Sequence, residues 1–183
     1  MEHLILGLLI LSPMTGYELQ LFIKQNLSLI CSDSAGSIQA AVRSLMRKGQ
    51  IAATETAAGK RRKKTFSITE SGRAAFDAWV AQPMQADKVK NMELSRLFFL
   101  GLAKPQDRTA AIQQYIRQME EIETVLCAIR TRFQQTQGAP LPPGNDWVAI
   151  LRFQAYTIEY GIAAARFERD WYRHLLCELE ETS

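Results

Sequence analysis

Residues 34–69 read SAGSIQAAVRSLMRKGQIAATETAAGKRRKKTFSIT, and this stretch decides the fold. Asp33 or Ser34 carries the side chain that caps a helix start. Ile38, Val42, Leu45 and Met46 then follow at spacings of 4, 3 and 1, which is one face of a helix running to about Lys48. The other face holds Ser37, Gln39, Ala40, Arg43, Ser44 and Arg47. Gly49 suits the left-handed position that ends such a helix. Two extended segments come next, Ile51 to Thr56 and Lys64 to Ile68, the second alternating Phe66 and Ile68 with Thr65 and Ser67. Ala57, Ala58, Gly59 and the basic run Lys60-Arg61-Arg62-Lys63-Lys64 join them, with Gly59 free to turn.

Working outward, residues 2–11 form an apolar helix closed by Ser12-Pro13, because proline cannot continue a helix and restricts the residue before it. Thr15-Gly16-Tyr17-Glu18 has the Thr-x-x-Glu spacing of a capping box, opening a second helix with Tyr17, Leu21 and Leu27 toward the core. After the extended pair, Thr69 caps a helix from Glu70 to about Ala81 that packs through Ala75, Phe76, Trp79 and Val80. Three helices, two strands around a basic hairpin, and a fourth helix make a winged helix-turn-helix with a two-stranded wing, expected over residues 1–82.

This order assigns chemistry to the polar face of the third helix. A recognition helix buries one face and offers short or polar side chains to base edges in the major groove. Gln39 suits adenine, Arg43 and Arg47 suit guanine or phosphate, and Ala40 suits a thymine methyl. A basic run by itself is either a solvated loop or a phosphate-binding patch. Between two strand patterns, directly after such a helix, the wing is the better reading.

The whole-chain composition gives little hint of this. The 183 residues carry a net charge of +3 and 47% apolar residues, an ordinary globular balance that excludes a disordered chain. Residues 1–85 hold 10 Lys and Arg against 6 Asp and Glu, so +4; residues 86–183 hold 12 against 13, so −1. Cys31, Cys127 and Cys177 are odd in number and lack CxxC spacing, which gives neither a disulfide framework nor a zinc signature. Reduced thiols in a cytoplasmic protein are expected. His3 and His174 are too few for a metal cluster or proton relay. Leu4 to Leu11 lacks the basic flank and cleavage site of a signal peptide and is far short of a membrane span. No GxSxG, HExxH or phosphate-binding glycine loop is present, so an enzyme is not expected.

Several pieces together resemble the PadR family of bacterial transcriptional regulators. They are Ile5-Leu6-Gly7-Leu8-Leu9, Ser12-Pro13-Met14-Thr15-Gly16-Tyr17-Glu18-Leu19, Gly36-Ser37-Ile38, Leu45-Met46-Arg47-Lys48-Gly49-Gln50-Ile51 and Lys63-Lys64-Thr65-Phe66-Ser67-Ile68-Thr69-Glu70-Ser71-Gly72-Arg73. The resemblance implies a dimeric winged-helix DNA-binding protein, most often a repressor. The family pattern continues Gly-Ser-Ile with Tyr-Pro, whereas Gln39 and Ala40 stand here. Leu94 to Phe99 and the last helix resemble the virulence-activator branch, which has a large helical C-terminal domain.

That C-terminal half, 91–183, reads as helical. Residues 91–103 form a short apolar helix, and Pro105 and Asp107 open a long one to about Gln135. Ile112, Tyr115, Ile116, Met119, Ile122, Leu126, Ile129 and Phe133 make its apolar stripe. Gly138 to Gly144 breaks the pattern, and Asn145 or Asp146 caps a last helix reaching about Glu180, on the order of 50 Å long. Its apolar residues cover more than one stripe, so a second subunit is expected on the surplus face, with Gly161 and Ala163 to Ala165 allowing close helix approach. Tyr156, Tyr160, Phe167 and Trp171 are also candidates for an aromatic effector pocket. Arg152, Arg166, Arg169 and Arg173 are candidates to pair with an acidic effector, but the simpler reading is intrahelical pairs of Glu159 or Glu168 with residues one turn away.

The expectation is a homodimeric, sequence-specific DNA-binding regulator, a repressor open to control by a small aromatic effector, without cofactor, metal or membrane partner. Tyr17, Ser37, Gln39, Ala40, Arg43, Arg47 and Lys60 to Lys64 are the DNA-binding candidates. The alternative is a winged-helix protein-interaction module whose DNA binding is weakened or lost at Gln39 and Ala40.

Overall fold

The computed structural model describes residues 1–27, 31, 33–58, 61–84, 92–136 and 141–181, with the backbone alone at 56–58, 61, 62 and 92. They fall into two compact units, Met1–Ala86 and Asp87–Ser183. The first runs α1 (Glu2–Leu11), β1 (Met14–Thr15), α2 (Gly16–Asn26), α3 (Ala35–Arg47), β2 (Ile51–Ala58), β3 (Arg61–Ile68) and α4 (Glu70–Val80). The second holds α5 (Met92–Phe99), a short 3-10 turn Leu100–Leu102, α6 (Pro105–Gln135) and α7 (Trp147–Glu181). The winged helix and the mainly helical class expected from the sequence are both present.

The sheet is larger than expected. It has three antiparallel strands in the order β1-β3-β2, not two. Met14 and Thr15 pair with Phe66 and Thr65, while Ile51 to Ala58 pair with Ile68 to Arg61. A two-residue strand carries no readable alternation, so only the pairing reveals it. The basic run is also placed differently from the joining stretch expected. Arg61 to Lys64 belong to strand β3 and pair with Ala58 to Glu55. Gly59 and Lys60 lie outside the described residues.

The core of the first unit gathers Ile5, Leu6, Leu9, Leu19, Ile23, Ile38, Val42, Leu45, Ile51 and Phe66. On α2 the buried residues are Leu19 and Ile23, while Tyr17 and Leu21 are exposed, which reverses the expected phase. Leu27 packs against the core as expected. On α3 Ile38, Val42 and Leu45 are buried with Ala41, whereas Met46 sits at the surface. On α4 Ala75 and Phe76 pack inward, but Trp79 and Val80 are exposed, and the Trp79 ring stacks on His3.

In the second unit α6 and α7 pack along their lengths. Ile112, Ile116, Met119, Leu126 and Ile129 are buried on α6, and Ile162, Ala165 and Tyr172 on α7. Gly161 lets the two backbones close, since a β-carbon there would come within 3.1 Å of Leu126. Asp146 is the residue that caps α7, its Oδ1 accepting from the Ala149 amide at 3.0 Å. Charged pairs cross between the two helices, while Arg169 and Arg173 also pair with Asp170 along α7. Glu123 takes both Arg166 and Arg169, Glu120 takes Arg173, Glu159 takes Arg130, and Glu168 accepts from the Tyr115 hydroxyl. The expected one-turn pairing of Glu159 and Glu168 is therefore corrected: both reach across to α6.

Candidate nucleic-acid interface

Helix α3 is fixed at both ends by its sequence. Ser34 is the N-cap, its Oγ accepting from the Ser37 amide at 3.3 Å. At the other end the Gly49 amide bonds to the Met46 carbonyl and the Gln50 amide to the Leu45 carbonyl. This double closure needs a left-handed residue, and Gly49 supplies it with φ +67. The chain leaving α3 is then clamped to the start of α4. Thr69 Oγ1 donates to the Gly49 carbonyl at 2.8 Å and accepts from the Gly72 amide at 3.1 Å. The angle between α3 and the wing strands is thus set by short, directional bonds.

With its apolar face buried, α3 leaves Gln39, Ala40, Arg43 and Arg47 exposed, and Ser37 half-buried. Helix α2 begins beside it. Thr15 and Glu18 complete the capping box, Glu18 Oε2 accepting from the Thr15 amide at 2.7 Å and Thr15 Oγ1 accepting from the Glu18 amide at 3.2 Å. Those backbone and side-chain bonds to Thr15, with the Lys63 ammonium third, hold the Glu18 carboxyl below its ordinary range. Tyr17 follows on the open face of α2, 72% exposed. From the wing, Lys64 lies over the Phe66 ring, 5.9 Å from its centre.

These elements frame one groove of about 580 Å³. Tyr17 and Gln20 line it from α2, Gln39 and Arg43 from α3, and Lys64 from β3, over a floor that includes Ile38, Val42 and Phe66. Four sequence candidates, Tyr17, Gln39, Arg43 and Lys64, therefore meet at one surface. Ser37, Ala40 and Arg47 share α3 without lining the groove. Lys63 is bound to Glu18 at 3.2 Å. Lys60 lies outside the described residues, and Arg61 and Arg62 are described in backbone only. Gln20 was missed by the sequence reading. Its place one turn after Tyr17, on a helix whose capping box was legible, is the signal that would have found it.

In the second unit Tyr156, Tyr160, Phe167 and Trp171 form one exposed stripe along α7 with Phe153. They line neither the α2–α3–β3 groove nor the small pocket of this unit. The small pocket described in this unit is elsewhere, lined by Glu93, Arg96, Leu97, Ile112, Tyr115 and Tyr172. Among the described residues no group of His, Cys, Asp and Glu is arranged to hold a metal, and no helix is long and apolar enough to cross a membrane.

A capped, polar-faced helix beside a basic three-stranded wing, followed by a separate helical unit, defines a winged-helix protein with a helical C-terminal region. Residues 5–78 match the Transcriptional regulator PadR-like family, and residues 89–180 match the Virulence activator alpha C-term family. The chain belongs to the PadR-like transcriptional regulators, in the branch that carries the virulence-activator C-terminal region. That family is one of transcriptional regulators, not enzymes. No curated protein sequence matches the chain. Among solved structures, PadR of Bacillus subtilis in complex with operator DNA is similar at 19% identity and a TM-score of 0.76, over 97% of this chain and 98% of that one. The same protein in complex with p-coumaric acid is similar at 17% identity and a TM-score of 0.73, over 98% of each chain. The Vibrio cholerae virulence activator AphA is 15% identical with a TM-score of 0.74, over 100% of this chain and 99% of that one. At such identities the likeness establishes the shared fold.

Proposed function

We propose that this chain is a sequence-specific DNA-binding repressor that acts as a homodimer. One observation carries the reading. Tyr17, Gln39, Arg43 and Lys64, from three separate elements, converge on a single exposed groove beside the polar face of α3. In this reading α3 enters the major groove, with Gln39 and Arg43 reading base edges and Ala40 against a thymine methyl. Ser37 and Arg47 take the backbone at either end, and Tyr17 and Lys64 flank the reading helix. In the same reading Lys60, Arg61 and Arg62 contact phosphates, which is a salt-dependent contribution. The operator complex of the Bacillus subtilis neighbour supports the same use of this fold.

The dimer is supported by α7. Phe153, Tyr156, Tyr160, Phe167 and Trp171 stand exposed at helical spacing on the side away from α6. Burying such a stripe against its own copy follows the commonest symmetry, and two reading helices then face half-sites one or more DNA turns apart. A small aromatic effector held among Tyr156, Tyr160, Phe167 and Trp171 would alter that pairing. The neighbour complex with p-coumaric acid makes phenolic acids the first compounds to screen.

The test is a gel shift with the DNA upstream of the gene at several salt concentrations. Binding that is sequence-specific and weakens with salt is expected, and exchanging Arg61 and Arg62 for glutamate should reduce both affinity and salt slope. Failure to bind at any salt would instead favour the protein-interaction module.

A further inference from the structure

The basic run of the wing is not one uniform patch. Lys63 and Lys64 are consecutive in β3, so their side chains leave opposite faces of the sheet. Lys64 goes to the groove. Lys63 goes to helix α2, where its Nζ donates to Glu18 Oε1 at 3.2 Å. The second carboxylate oxygen of Glu18 is already taken by the Thr15 amide of the capping box. Thr15 is itself a strand residue, paired with Thr65 of β3. The contacts close a ring: Thr65 pairs with Thr15, Thr15 is capped by Glu18, and Glu18 holds Lys63, two residues from Thr65 along the same strand.

We propose that Glu18 and Lys63 form a tether fixing the wing strand to the start of α2, so that Lys63 is a positioning residue and not a phosphate contact. This rests on the DNA-binding reading above for its consequence at the operator, although the tether itself concerns the free protein. Both side chains are about half exposed, 55% and 46%, so the pair is a weak source of stability on its own. Its effect is geometric. It adds a second attachment, next to a two-residue strand, between the wing and the helix whose first turn carries Tyr17. An ammonium already neutralised by a carboxylate also displaces no counterion from DNA unless that pair breaks.

Salt dependence separates the two roles, because each phosphate neutralised contributes about 0.9 to the slope of log affinity against log salt. Glu18→Gln keeps the acceptor that the capping box needs while removing the charge that holds Lys63. The expected results are that Lys63→Ala leaves the slope unchanged, Lys64→Ala lowers it by about one phosphate, and Glu18→Gln raises it by up to about one as Lys63 is released. Amide hydrogen exchange over residues 63–66 of the free protein gives a readout without DNA. Lys63→Ala and Glu18→Gln should each speed it several-fold, and Lys64→Ala should not. A slope that falls by about one in Lys63→Ala, or exchange unaffected by both tether variants, overturns the proposal. Absence of DNA binding by the unaltered protein, with exchange responding as described, would fail the regulator reading and leave the tether standing.

Discussion

A methyl group at residue 72 has nowhere to go. A β-carbon on Gly72 would fall 2.0 Å from the Gln50 carbonyl oxygen and 2.9 Å from Ile68. The glycine lets α4 begin against the segment that leaves α3, which is the joint that sets the angle of α3. Gly72→Ala should cost about 1–3 kcal/mol of stability, read as a lowered midpoint in denaturant, and an unchanged midpoint would remove this joint from the account. Arg43 makes the opposite prediction. It is exposed at the groove and supports no part of the core. Arg43→Ala should leave the midpoint unchanged and weaken specific operator binding by about 1–3 kcal/mol, measured by fluorescence anisotropy. Residue phase was only partly legible in the sequence. In α2, Tyr17, Leu19, Leu21, Phe22 and Ile23 are all apolar, so two faces compete within one short helix. Packing against α1 and the sheet selects Leu19 and Ile23 and turns Tyr17 outward. Burial also decides the state of Cys31: desolvation pushes its thiol up, which favours the protonated form.

Element by element, the long helices were the easiest to read and their partners the hardest. The stripe from Ile112 to Phe133 announces α6, and the charges along α7 appear self-sufficient until α6 is set beside them. Glu123 then accepts from Arg166 at 2.6 Å and also pairs with Arg169. The Arg166 hydrogen bond, ahead of the general attraction of the two guanidiniums, holds the Glu123 carboxyl below its usual 4.5. A depressed carboxylate stabilises the folded state at pH above its unfolded value, and that contribution disappears as pH falls through the lowered one. Glu123→Gln should therefore melt earlier than the unaltered protein at about pH 7, with the difference narrowing as pH falls below 4.5. A difference that persists in acid would mean that the side chain acts through packing and not through its charge. The wing shows a limit of another kind. Alternation revealed Phe66 and Ile68, yet the strand extends back through Arg61, because Ala58 to Glu55 supply partners across the sheet.

Across the whole molecule, the question is what covers the aromatic stripe of α7. Tyr160 and Phe167 are 77% and 69% exposed, unusual for large apolar side chains in a row. The dimer reading predicts that Tyr160→Glu with Phe167→Glu gives a monomer by sedimentation, still helical by circular dichroism. Operator affinity should then fall at least 10-fold, since one reading head replaces two. A double variant that stays dimeric would move the interface elsewhere. Thermal-shift measurements with phenolic acids complete the test: stabilisation lost in Phe167→Ala supports an effector among these aromatics, and no shift across the series leaves the stripe as interface alone.

The sequence by itself determined the order of elements, the caps at Thr15 and Thr69, the glycine stop at Gly49, and the polar face of α3. Each of these depends on neighbours within a few residues, through backbone hydrogen bonding and helical or strand period. Only the tertiary structure decided that Met14 and Thr15 form a third strand, that Tyr17 faces the groove, that Lys63 and Lys64 part company, and that the arginines of α7 pair with α6. These outcomes join residues distant in sequence, and local periodicity carries no information about which distant group will be there to meet them.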